Sequence, residues 1–279
     1  MQSVLEILNK CEAFFAKKGV PNAKLDAQIL LAKAMKCKRL DLFLHFEDPV
    51  FEETLAEFRE DVRRRAKREP LQHILGNVEF FGLKLKCDAR ALIPRSETEE
   101  LCEILAGRFP KDSQNFKILD LGTGSGAIIL ALKSAFKNAA CLACDKSKEA
   151  LSLARENAAL CGLCVDFFES DWFENASGTF DLIVSNPPYL TEGEIEQAQI
   201  EVKKFDPYSA LFSPENGLQD LRKIIELAPK FLNSGGTLAL ECGLNQAQTL
   251  ADTFADKWQR AEVLKDLSGR ERFLILQAK

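Results

Sequence analysis

The 279-residue chain has no apolar run approaching the ~18 residues that a membrane-crossing helix needs, so no span is expected. Its first residues, MQSVLEILNK, lack the basic start and small-residue cleavage site of a secretory leader, and a cytoplasmic protein is expected. Histidine is scarce: only His45 and His73 occur, and neither sits in a catalytic pattern. Internal repeats and low-complexity tracts are absent. Strong charge of one sign is missing too. The net charge of −5 argues against a nucleic acid as the main partner. Residues 1–90 carry 17 Lys+Arg against 14 Asp+Glu, and the remainder carries 20 against 28, so the two parts stand at +3 and −8. What is present is ordinary for a soluble globular protein: 46% hydrophobic and 28% charged residues.

The nine cysteines include two pairs at metal-ribbon spacing, Cys141 with Cys144 and Cys161 with Cys164. Their context argues otherwise. AACLACD reads as a strand, in which residues three apart point to opposite faces. Cys161 falls at a helix end and Cys164 near the next strand, with no knuckle of turn residues at either pair. Reduced, mostly buried thiols are expected and no metal, in keeping with a reducing compartment.

The pattern of the chain divides it. SVLEILNKCEAFF has Val4, Leu5, Leu8, Cys11 and Phe15 at helical spacing behind a Ser3/Glu6 capping box. A second helix follows Pro21. Asp48-Pro49 reads as the cap and first turn of a third, which runs to RRRAKR before Pro70. Residues 1–74 are therefore expected to form a small helical domain. Its basic cluster, Arg63, Arg64, Arg65, Lys67 and Arg68, complements a helix C-terminus and reads as solvated, with a docking patch as the sharper alternative. Residues 75–110 read as a linking hairpin and helix, with VEFFGLKLKC and RALIPR as its strands. Beyond 111 strands and helices alternate, which implies a parallel sheet covered on both faces. AEVLKDLSGRERFLILQ closes that sheet as an antiparallel hairpin.

LDLGTGSGAI sets Gly122, Gly124 and Gly126 between a strand and a helix, where no Cβ blocks the close approach of a ligand. Asp145 ends the next strand, 23 residues after Gly122, and a carboxylate there can accept hydrogen bonds from both hydroxyls of a ribose. Together they make a nucleoside pocket at the C-terminal edge of the sheet. The loop also satisfies the dinucleotide pattern G-x-G-x-x-G/A, so an NAD-binding oxidoreductase stays open, as does a purely structural glycine turn.

FDLIVSNPPYL ends a buried strand on two prolines, an amide and a phenol. Prolines cannot continue a sheet ladder and they stiffen the backbone. Asn186, Pro187, Pro188 and Tyr189 closely resemble the Asn/Asp-Pro-Pro-Tyr/Phe signature of methyltransferases that modify planar nitrogen groups, and the resemblance implies S-adenosylmethionine as cofactor. The chemistry fits these residues. The lone pair of an amide nitrogen is delocalised, so it is a poor nucleophile that needs exact positioning. The Asn186 side-chain oxygen and the Pro187 carbonyl can each accept one N–H of an NH₂, and Tyr189 can lie on the flat group. No Ser-His-Asp set and no metal is required.

The likeness extends along the chain through REPLQHILGNVEFFGLKLKCDARALIPRSETEEL, LDLGTGSGAIILAL, DWF, DLIVSNPPYL, DPYSALFSPENGL and LECGLNQ. These blocks resemble the release factor glutamine methyltransferases (HemK/PrmC). The resemblance implies a class I methyltransferase fold, a Rossmann-like α/β, mostly parallel seven-stranded sheet with a C-terminal antiparallel hairpin, preceded by a small helical substrate-recognition domain. It implies methyl transfer to the side-chain amide nitrogen (N5) of the glutamine in the Gly-Gly-Gln loop of class 1 peptide chain release factors. It further implies that Gly122, Thr123, Gly124, Ser125, Gly126 and Asp145 hold the cofactor and that Trp172 lines its adenine end. Asn186 would touch cofactor and substrate, and Asn186 to Tyr189 would receive the glutamine, with Asn186, Pro187 and Tyr189 catalytic. Ser96, His73 and Cys242 depart from the usual residues of that family. A monomer with no membrane and no direct nucleic-acid substrate is expected. The alternatives are an adenine-N6 nucleic-acid methyltransferase, whose exocyclic amine fits the same shelf, and a binding module that has lost catalysis.

Overall fold

A computed structural model describes residues 2–110 and 115–279. The chain forms two compact units, Met1–Gly76 and Asn77–Lys279. The expected start of the methyltransferase domain at 111 lies outside the described residues. The hairpin and helix read as a linker cluster with the second unit.

The first unit is helical: α1 (Val4–Lys17), α2 (Ala23–Ala34), α3 (Glu52–Ala66) and α4 (Leu71–Leu75), with a 3-10 turn over Arg39–Leu44. The capping box of Ser3 and Glu6 opens α1. Val4, Leu8, Phe15, Leu30, Leu31 and Phe58 make its core. Two expectations fail here. Asp48-Pro49 does not start α3. The Asp48 carbonyl accepts from Val4 N at 3.1 Å and Pro49 bridges Ser3, so this stretch is tied extended against the start of α1 and the helix begins at Glu52. Nor is the basic cluster wholly solvated. Arg65 is buried, and its Nε donates to Asp26 at 2.7 Å with both side chains about 5% exposed. Two charges taken out of water need such partners.

The second unit begins with a hairpin, β1 (Asn77–Phe80) and β2 (Leu83–Lys86). Phe81 and Gly82 both take positive φ, 53° and 70°, which makes the two-residue turn that suits twisted strands. Both strands thus come from VEFFGLKLKC. RALIPR, expected as the second strand, is an irregular loop over residues 90–95; the turn at 81–82 makes Leu83–Lys86 the partner of β1 instead. Next come α5 (Ser96–Arg108), β3 (Lys117–Leu121), α6 (Ala127–Ala135), β4 (Ala140–Asp145), α7 (Lys148–Cys161), β5 (Asp166–Glu169) and β6 (Phe180–Ser185). Then follow α8 (Glu192–Gln197), α9 (Ile200–Phe205), the one-turn α10 (Pro214–Gly217), α11 (Gln219–Leu227), β7 (Leu232–Glu241), α12 (Gln246–Phe254), β8 (Arg260–Lys265) and β9 (Glu271–Gln277).

Among the described residues the main sheet has seven strands in the order β5-β4-β3-β6-β7-β9-β8. The first five in chain order pair parallel, and β9 pairs antiparallel with both β7 and β8. The chain leaves β3 in one direction to β4 and β5 and returns on its other side to β6. This reversal opens a crevice at the C-terminal ends of β3, β4 and β6, where open α/β sheets bind ligands. The strands alternate between two cores: Ile118 and Cys141 face one, Leu119, Leu121 and Cys144 the other. Cys141 and Cys144 therefore sit on opposite faces. Burial pushes both thiols up to about 12, so they stay protonated and inert near neutral pH.

Candidate active site

Three strand ends build the crevice. After β3 the loop takes left-handed backbone at Gly122, Gly124 and Gly126, with φ of 68°, 57° and 84°. A Cβ on Gly122 would stand 3.2 Å from the Trp172 ring, so glycine keeps the wall open. Gly126 serves packing: a Cβ there would meet Ala154 at 3.2 Å and Leu130 at 3.3 Å, where α6 lies on α7. The loop is pinned from below. Thr123 Oγ1 donates to Asp120 Oδ2 at 2.6 Å, and Thr123 N donates to the Cys144 carbonyl at 2.9 Å. Asn157, fully buried on α7, donates to the Ser125 carbonyl and pairs with Lys86, which ties the loop to β2.

After β4, Asp145 accepts from Gly124 N and Ser147 N, both at 2.9 Å, one on each oxygen. Each oxygen keeps a further lone pair, so the carboxylate is fixed yet able to accept from a diol. Trp172 is 8% exposed. Its Nε1 donates to Asp220 Oδ1 at 3.1 Å, while its carbonyl accepts from Ser170 Oγ and Cys144 Sγ. The ring thus belongs to the core and also forms a wall of the crevice.

The resulting cleft has a volume of about 1000 Å³ counted out to solvent. Gly122, Thr123, Gly124, Ser125, Asp145, Trp172, Asn186 and Pro188 all reach its wall. A second chamber, of about 790 Å³ by the same measure, lies beside it and contains Tyr189, Glu241, Glu97 and Arg272. Asn186, Leu92, Arg95 and Ala210 line both. Pro187 is buried and lines neither chamber.

Several residues around the cleft escape a reading of the sequence. Residues 90–95 form part of the cleft wall. Arg95 of this loop donates to Asp206 Oδ2 at 2.7 Å, holding the loop to the segment after α9. Burial raises the Asp206 carboxyl and the Arg95 guanidinium opposes that. Glu241 at the end of β7 is 1% exposed and accepts from Thr98 Oγ1 at 2.6 Å and from the Tyr189 hydroxyl at 3.1 Å. Burial raises its carboxyl, with the bonds from Thr98 and Tyr189 and the charge of Arg272 pulling the other way. Burial also raises the Tyr189 phenol, which stays neutral. An acid closing the apolar run TLALEC is the one signal that pointed to Glu241; nothing in RSETEEL singles out Thr98.

A deep cleft with a backbone cradle, a fixed carboxylate and an aromatic wall can hold a nucleoside. The adjoining chamber shares Asn186 with it, together with Leu92, Arg95 and Ala210. Comparison with known proteins agrees. The PrmC N-terminal domain family matches residues 6–76 and the methyltransferase small domain family matches residues 95–203. The chain is 42% identical to the release factor glutamine methyltransferase of Deinococcus radiodurans over 96% of each chain. It is 40% identical to that of Geobacter sulfurreducens over 91% of this chain and 88% of the relative. Its fold is like that of the T. thermophilus 16S rRNA N2 G1207 methyltransferase, solved with AdoMet and guanosine, with a TM-score of 0.54 and 19% identity over 73% of this chain and 50% of that one. The cofactor is S-adenosylmethionine, not the NAD that the glycine loop alone left open. With this identity extending over nearly its whole length, the chain belongs to the release factor glutamine methyltransferase family.

Proposed function

We propose that this protein transfers a methyl group from S-adenosylmethionine to the side-chain amide nitrogen (N5) of the glutamine in the Gly-Gly-Gln loop of class 1 peptide chain release factors. The observation that carries the reading is the meeting of the two chambers at Asn186. The cofactor, when bound, supplies an electrophilic methyl on a sulfonium. The backbone of residues 122–125 would cradle it, Asp145 would accept from its ribose and Trp172 would wall its adenine end, while Gly126, also expected to hold it, packs α6 on α7. Asn186 Oδ1 accepts one N–H of the glutamine amide and Tyr189 lies against its plane; Pro187, whose carbonyl was expected to accept the other, lines neither chamber. Catalysis is mainly positioning, with acceptors placed where positive charge develops on nitrogen.

An NH₂ on a flat group offers too little contact to select one glutamine among many. The N-terminal helical unit is therefore assigned the recognition of the surrounding release factor. The protein acts as a monomer in the cytoplasm and takes no nucleic acid directly. No helix among the described residues is long and apolar enough to cross a membrane, and the net charge of −8 beyond residue 90 disfavours the phosphate contacts on which nucleic-acid affinity rests.

Asn186→Ala tests the reading. Single-turnover methyl transfer should fall by at least about 10²-fold while cofactor affinity falls much less, as expected when one aligned polar contact at the reacting group is lost. An unchanged rate contradicts it.

A further inference from the structure

Where the two chambers meet, a line of three hydrogen bonds ends on a buried carboxylate. Asn186 Nδ2 lies 3.1 Å from Thr98 Oγ1, and Thr98 Oγ1 lies 2.6 Å from Glu241 Oε2. The Tyr189 hydroxyl reaches the other oxygen, Oε1, at 3.1 Å. Thr98 is 5% exposed and Glu241 1%, so water does not compete for these groups.

The direction of the line follows from the donor inventory. With Glu241 ionised, the form that the Thr98 and Tyr189 hydroxyls and the Arg272 charge favour against burial, its carboxylate only accepts, and a hydroxyl has a single proton. Thr98 gives that proton to Glu241, and its oxygen is left to accept from Asn186. The Asn186 amide must then turn its NH₂ toward Thr98 and its Oδ1 away. The two ends of an asparagine amide are nearly the same size, so packing alone does not choose between them. A flipped amide would set its own NH₂ against the NH₂ of the acceptor, donor facing donor.

We propose that Thr98 and Glu241 are positioning residues that fix which end of the Asn186 amide faces the acceptor nitrogen. This rests on the reading that Asn186 receives a planar NH₂ group. Thr98 acts through Asn186, and Glu241 acts through Thr98 and also holds the Tyr189 hydroxyl.

Thr98→Val keeps the shape of the side chain and removes the hydroxyl. Its single-turnover rate on full-length release factor should fall about 30-fold, the scale of a lost aligned contact, with S-adenosylmethionine affinity by calorimetry within about two-fold of wild type because the nucleoside contacts stay in place. Thr98→Ser, which restores the hydroxyl, should recover the rate to within about three-fold. In an Asn186→Ala background Thr98→Val should have no further effect, since residues that act through one another are not additive. The relay is overturned if Thr98→Val transfers at the wild-type rate, if its full loss persists in the Asn186→Ala background, or if cofactor affinity falls in step with the rate. A wild-type protein that leaves the release-factor glutamine unmethylated overturns the proposed function and the relay together. A Thr98→Val protein as fast as wild type on a glutamine that is methylated overturns the relay alone.

Discussion

Gly217 passes so close to Tyr189 that a Cβ on the glycine would stand 2.0 Å from the tyrosine carbonyl oxygen. Gln246 Nε2 donates to that same carbonyl at 3.0 Å and to the Asn216 carbonyl at 3.3 Å. The last residue of the proline shelf is thus clamped between a left-handed turn, with Gly217 at φ 79°, and the start of α12. Gly217→Ala combines a backbone clash with left-handed strain and should destabilise the protein by about 2–4 kcal/mol. Denaturant unfolding measures this. Methyl transfer should fall in the surviving folded fraction because Tyr189 is displaced; unchanged stability and rate would remove the clamp from the account.

Asp145→Ala should weaken S-adenosylmethionine binding by about 10- to 100-fold, since hydrogen bonds to charged groups contribute ~1.5–3 kcal/mol. The carboxylate also accepts from Gly124 N and Ser147 N, so its loss loosens the cradle as well. Calorimetry checks the affinity, and an unchanged value takes Asp145 out of the site.

Asp120 gives a pH signature. It is fully buried beneath the glycine loop, and burial pushes its carboxyl from 3.8 up to about 7 against the bond that Thr123 donates. A carboxyl raised in the folded state contributes stability that is present in full below its unfolded pKa and is lost as pH rises through the folded one. Between 3.8 and about 7, wild type should therefore lose stability relative to Asp120→Asn, which cannot ionise. Unfolding midpoints of both proteins across that range provide the measurement. A constant difference between them would mean that Asp120 does not titrate there.

What could be read from the sequence was local. The glycine loop, Asp145 and the shelf each announce themselves through residues at a strand end, because turn conformation and ligand approach demand particular residue types there. The alternating strands and helices likewise carry their own periodicity. Pairings across long stretches of chain were hidden. Thr98 and Glu241 are 143 residues apart and Arg65 and Asp26 are 39 apart. Only the topology brings them together, so a buried arginine looked like one more solvated charge. The loop at 90–95 was read as a strand because ALIP is apolar. It is apolar because it lines the cleft, not because it pairs in a sheet.

The most direct test of the central claim is labelled-methyl incorporation from S-adenosylmethionine into four substrates: full-length release factor, its loop Gln→Ala mutant, a short loop peptide and adenine-containing DNA. The account predicts label in the full-length factor, far less in the peptide, and none in the Gln→Ala mutant or the DNA. Label in DNA, or label persisting in the Gln→Ala mutant, would contradict the glutamine amide as acceptor.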